Sequence, residues 1–135
     1  MTKKDKGFWK NFFLIAALYD LILGLVFMLL YKPIFDWLGI IKPVLPMYLI
    51  TSAAFVATMG LGYIYVWKNM FRNIDIVKLS IAYKIVYTTI AFSFYFMGVA
   101  HFVFFLFGVL DFGFLIGFVY FLKWAKADGR YLKWE

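Results

Sequence analysis

Three ionisable residues stand inside long apolar runs of this sequence: Asp20, Lys84 and Asp111. A charge at the centre of a membrane helix costs about 2.5–3.5 kcal/mol on insertion scales, so such groups face inward, pair, and mark pathways for ions, protons or ligands. A lysine with two aspartates on neighbouring helices has two uses. As structure, it is an ion pair or triad that fixes helix register. As function, it is a site for an ion, a proton or a ligand. Two carboxylates and one ammonium cannot all be neutralised by pairing. Either one carboxylate is protonated, or another donor or cation joins, and that imbalance gives the layer a reason to respond to protonation.

The elements that position these residues follow from composition. Of 135 residues, 66% are hydrophobic and 16% charged, whereas a soluble domain is nearer half apolar and a quarter charged. So short a chain could not hide that much apolar surface in a core of its own. Lipid must take it. Runs of about 20 apolar residues fall at about 12–31, 46–67, 76–97 and 102–122. The expected fold is all-α: an integral membrane four-helix bundle forming one domain over residues 1–135. At about 1.5 Å per residue, Asp20, Lys84 and Asp111 each lie roughly 12–18 Å from the nearer cytoplasmic helix end. All three can share one depth near the bilayer middle.

The links between spans differ. Residues 31–42 carry Lys32-Pro33 and Lys42-Pro43, and between them Ile34, Phe35, Trp37, Leu38 and Ile41 can form a short helix in the interface. The link from Lys68 to Asp75 is polar, with Asn69 and Asn73 expected as turn and capping residues. The link from Gly98 to His101 is very short, so the third and fourth helices should be antiparallel neighbours. The first apolar run follows a basic start, but it contains Asp20 and ends in Tyr31-Lys32-Pro33, not at a small-residue cleavage site; it reads as a retained span and not a signal peptide.

Charge orients the chain. With the N-terminus inside, the cytoplasmic face holds Lys3, Lys4, Lys6, Lys10, Lys68, Arg72, Lys78, Lys123, Lys126, Arg130 and Lys133, and the outer face only Lys32 and Lys42. Eleven against two is a strong positive-inside signal, giving an N-in, C-in protein of the cell (inner) membrane. The net charge of +7 is thereby explained by topology and anionic headgroups, not by nucleic acid. Trp9, Tyr31, Trp37, Trp67 and Trp124 fit interfacial belts, and Tyr131, Leu132 and Trp134 fit a tail lying on the membrane surface.

Helical spacing proposes the inward faces. Ala16, Ala17 and Gly24 flank Asp20, and Ser80, Tyr87, Thr88, Ala91 and Tyr95 share the face of Lys84. Thr51, Ala54, Thr58, Gly62 and Tyr65 form a small, polar stripe on the second helix, and Gly108 lies beside Asp111. Ser80, Tyr87, Thr88 and Thr58 are therefore the expected neighbours of the charged cluster, with Leu, Ile and most Phe turned to lipid. Gly113 and Gly117 form a GxxxG pair roughly opposite Asp111. That face can dock a second copy or a partner helix, or it can simply meet lipid. His101, at the outer turn, is either an ordinary interfacial residue or a point of proton access.

The sequence has no cysteine and one histidine, which leaves no thiolate metal site, disulfide or His-based metal site. It carries no Walker loop, HExxH pair, GxSxG elbow or dinucleotide fingerprint. No catalytic residues, cofactor or metal are expected, and an enzyme is the least supported class.

Tyr19-Asp20, Gly60-Leu61-Gly62-Tyr63, Asn69 and Asn73, Lys84, and Gly108 with Asp111 together resemble the pattern of small bacterial four-helix membrane proteins of the DoxX-like kind. The likeness spans nearly the whole chain. It implies the four-helix fold and an accessory role, since some members are described as accessory components of membrane redox systems. This chain has no redox ligand of its own, so that activity is not carried over.

Three functions follow as expectations. The first is an accessory or interaction subunit of a membrane assembly, contacting the bilayer and a partner through the fourth helix. The second is a small proton- or ion-coupled transporter or channel using the Asp20, Lys84 and Asp111 layer. The third is a binder of lipid or another hydrophobic ligand, motivated by the 24% aromatic content.

Overall fold

A computed structural model describes residues 3–128, with side chains from Asp5 onward. The expected surface tail at Tyr131, Leu132 and Trp134, with Arg130 and Lys133, lies outside the described residues. Four α-helices follow in order: α1 (Lys3–Leu38), α2 (Pro46–Lys68), α3 (Ile74–Phe96) and α4 (Phe102–Ala127). Among the described residues there is no strand. Each helix is long and apolar enough to cross a bilayer, which points to a multi-pass membrane protein.

The helices outrun the apolar segments at three places. α1 begins at Lys3 and α4 continues to Ala127. Lys is a good helix former although it is not apolar, so hydropathy marks the crossing and not the helix end. α1 also runs past the first span to Leu38, through a break at Leu30 (φ −124°, ψ 18°). Pro33 explains the break: it has no N–H to give the carbonyl four residues back, and its ring crowds that turn. Beyond the kink a short helical stretch runs to Leu38, within the 31–42 link where a short helix is expected.

Two of the links close by the same device. At Gly39 (φ +69°), the Ile40 N–H bonds the Phe35 carbonyl at 2.8 Å and the Gly39 N–H bonds Asp36 at 3.3 Å. At Gly98 (φ +76°), Val99 bonds Phe94 at 3.1 Å and Gly98 bonds Tyr95 at 2.9 Å. Both are the paired bonds of a Schellman ending, which a left-handed residue without a Cβ supplies cheaply. In the polar link, the Arg72 N–H bonds Asn69 Oδ1 at 3.1 Å, and Asn73 Nδ2 donates to the Asn69 carbonyl at 2.9 Å. Both asparagines thus build the turn, and Asn73 does not cap α3 with its side chain.

The chain forms two compact units, one of Lys6–Lys68 and one that includes α3 and α4. In the first, α1 and α2 approach through small residues. A Cβ on Gly24 would fall 2.6 Å from the Ala53 carbonyl oxygen and the Ala57 nitrogen, and one on Gly60 would fall 2.7 Å from the Leu21 nitrogen. Lys10 Nζ lies 5.3 Å from the Trp67 ring centre. In the second, α3 and α4 are antiparallel neighbours across the short turn, as their link length requires. Tyr95 stacks on Phe105 at 4.5 Å near that turn, and Phe71 stacks on Trp124 at 5.7 Å at the opposite end.

The outward faces are apolar. Ile15, Leu18, Ile22, Leu25 and Leu29 recur every three or four residues along α1, and all are exposed. That is the arrangement of a lipid-facing helix, where packing is left to small residues. Phenylalanine is divided between the two settings. Phe13, Phe27, Phe35, Phe71, Phe118 and Phe121 are buried, whereas Phe8, Phe55, Phe94, Phe96, Phe102 and Phe112 are exposed.

Candidate functional site

α3 presents a buried stripe of Ile74, Val77, Ser80, Lys84, Thr88 and Ala91 at steps of three and four residues. α4 presents Gly108, Asp111, Phe118, Phe121 and Ala125. Lys84 and Asp111 meet where these stripes face each other. Lys84 Nζ donates to Asp111 Oδ1 at 2.8 Å, and the two side chains are only 1% and 7% exposed. One turn along α4, a Cβ on Gly108 would lie 2.9 Å from the Phe92 ring and 3.1 Å from the Ala91 Cβ. Glycine there lets the two helices close together beside the ion pair.

Two rings flank the ammonium. Lys84 Nζ lies 5.2 Å from the Tyr83 ring centre and 5.8 Å from that of Phe114, within range of cation–π attraction. Neither ring was singled out by the sequence reading. Their signal is positional: Tyr83 adjoins Lys84, and Phe114 is one turn from Asp111. It is hidden in a chain where nearly a quarter of residues are aromatic.

Asp20, the third expected member, lies deep in α1 and is 1% exposed, with buried Ala16, Ala17 and Gly24 on its flanks. It belongs to the α1–α2 unit. Of the expected neighbours, Ser80 is fully buried, but its hydroxyl is spent on the Ile76 carbonyl at 2.6 Å. Tyr87 is half-buried and Thr88 is buried. Thr88 Oγ1 has no hydrogen-bond partner.

Thr58 stands on α2, in the first unit. It is exposed, and its hydroxyl returns to the Ala54 carbonyl at 2.8 Å. The whole expected stripe of α2 is misplaced with it. Thr51 and Tyr65 are exposed, Ala54 and Gly62 are half-buried, and the buried face is instead Ala53, Ala57, Gly60, Tyr63 and Val66. The physical reason is that a helical Ser or Thr can satisfy its own hydroxyl against the preceding turn, so polarity does not force it inward. Backbone approach selects for volume, and Ala and Gly supply it.

His101 caps α4: its Nδ1 accepts the Val103 N–H at 3.1 Å. Gly113 is exposed, with nothing within 4 Å of a Cβ placed on it, and Gly117 is half-buried. Among the described residues, no three His, Asp or Glu side chains gather where a metal ion could bind. Comparison with protein-family models, with curated proteins and with solved structures finds no match.

Proposed function

We propose that this chain is an accessory or interaction subunit of a membrane assembly, held in the cell (inner) membrane with both ends cytoplasmic. The observation that carries the reading is the Lys84–Asp111 pair, closed at 2.8 Å and buried at both ends. The Lys84 ammonium donates to Asp111 on the facing helix, so the pair serves to lock α3 against α4. A buried pair is a weak source of net stability but a good determinant of register. The open face of α4 at Gly113 offers a partner helix a place for close backbone approach. The resemblance to DoxX-like proteins points to the same accessory role.

A second reading, a small proton- or ion-coupled transporter, draws support from Asp20, another carboxylate buried deep in a span. The aromatic residues give less support to a hydrophobic-ligand binder, because Phe92, Tyr95, Phe96, Phe102 and Phe105 pack on one another.

Native mass spectrometry after gentle extraction tests the proposal. The expected species is heavier than the 15.9 kDa chain by a second copy or another membrane protein. A bare monomer under the mildest extraction overturns it. Proton or cation flux into vesicles containing only this chain, abolished by Asp111→Asn, replaces it with the transporter reading.

A further inference from the structure

Seven serine and threonine side chains stand on α2 and α3, and four of them make the same local bond. Ser52, Thr58, Ser80 and Thr89 all donate to the carbonyl four residues back, at 2.6–2.8 Å. Thr88 is 7% exposed, yet it forgoes that bond and leaves its Oγ1 without a protein partner. Its position on the stripe is bracketed. One turn before it, Lys84 meets Asp111, and one turn after it, Ala91 meets Gly108. Thr88 therefore lies between two points at which α3 meets α4, along the stretch of α4 from Gly108 to Asp111. Asp111 has a second carboxylate oxygen beyond the one that takes Lys84.

We infer that this seam is a binding site for one small hydrogen-bonding molecule, water, held by the Thr88 hydroxyl and the Asp111 carboxylate beside the Lys84 ion pair. In hydrocarbon, a buried polar group must be satisfied from within the protein or by bound water. A buried ion pair likewise needs further hydrogen bonds on its remaining lone pairs. One water meets both needs, since buried waters make about three hydrogen bonds to such groups. The ion pair is then hydrated on its α3–α4 side. This holds whether or not the chain serves an assembly.

The test reads water directly. In water-edited solid-state NMR of the full chain in phospholipid bilayers, magnetisation from water should reach Thr88 and Asp111 side chains well before that of Ala57, a buried control in the other unit. Thr88→Val, equal in shape, should abolish early transfer to Asp111 and lower the thermal midpoint by about 3–6 °C. Thr88→Ser should retain both. Transfer to Thr88 no faster than to Ala57 overturns the inference. So does a Thr88→Val midpoint that is unchanged or raised, because removing an unpaired buried hydroxyl is stabilising. If Thr88→Val does not fold, the wild-type transfer measurement decides alone.

Discussion

Lys84 and Asp111 depend on each other because the medium around them cannot replace either. Removing one member of a buried pair costs about 3–5 kcal/mol, since the other is left as an uncompensated charge. Asp111→Leu alone and Lys84→Met alone should each lower stability by about that much in reversible unfolding from detergent. The double variant should be less destabilised than the two singles added together, by about 1–3 kcal/mol of coupling. Simple additivity would show that the pair is not the energetic unit. This much of the site was readable from sequence, because a charge in an apolar run is conspicuous and its helical depth can be counted. Thr58 was misread for the opposite reason: its hydroxyl finds the Ala54 carbonyl on its own helix, so its polarity carries no message about which way it faces. Tyr83 and Phe114 were missed because an aromatic ring stands out little in this composition.

Glycine sorts the helix faces at the next scale. Gly24 and Gly60 meet backbone atoms of the facing helix at 2.6–2.7 Å from an added Cβ, and backbone cannot swing aside as a flexible side chain can. Gly24→Ala and Gly60→Ala should each cost about 1–3 kcal/mol through overpacking. Gly113→Ala meets open space and should leave stability unchanged, or raise it by up to about 1 kcal/mol through helix propensity. Thermal unfolding followed by tryptophan fluorescence separates the two classes. Equal losses at all three positions would contradict the packing of α1 on α2. The four helices themselves were legible, since length and apolarity set them. What apolarity could not give was the kink at Leu30, set by Pro33 three residues on, or the extension of α4 to Ala127 through Lys123 and Lys126. Nor could it give the buried face of α2. Both Ala53-Ala57-Gly60 and Thr51-Ala54-Thr58 are stripes of small residues, and only the approach of α1 at Gly24 chooses between them.

Orientation belongs to the whole molecule, and no single residue sets it. In the proposed orientation, eleven basic residues of the sequence fall on one side against two on the other, a bias that would hold those ends in the cytoplasm. Four crossings return the chain to the side on which it began. The absence of cysteine makes this directly measurable, since a single introduced thiol is the only one present. Gly7, Ile41, Val99 and Ala127 are exposed, and each falls at a different end of the helices. With a membrane-impermeant maleimide, Ile41→Cys and Val99→Cys should label in right-side-out vesicles. Gly7→Cys and Ala127→Cys should label only in inverted ones. The reverse pattern would sink the N-in orientation, and labelling of Gly7→Cys and Ala127→Cys from opposite sides would rule out an even number of crossings. Replacing Lys6, Lys10 and Lys68 with Gln while adding Lys near Ile41 should shift part of the population toward the inverted pattern. That outcome would tie the orientation to the charge asymmetry and not to the helices it flanks.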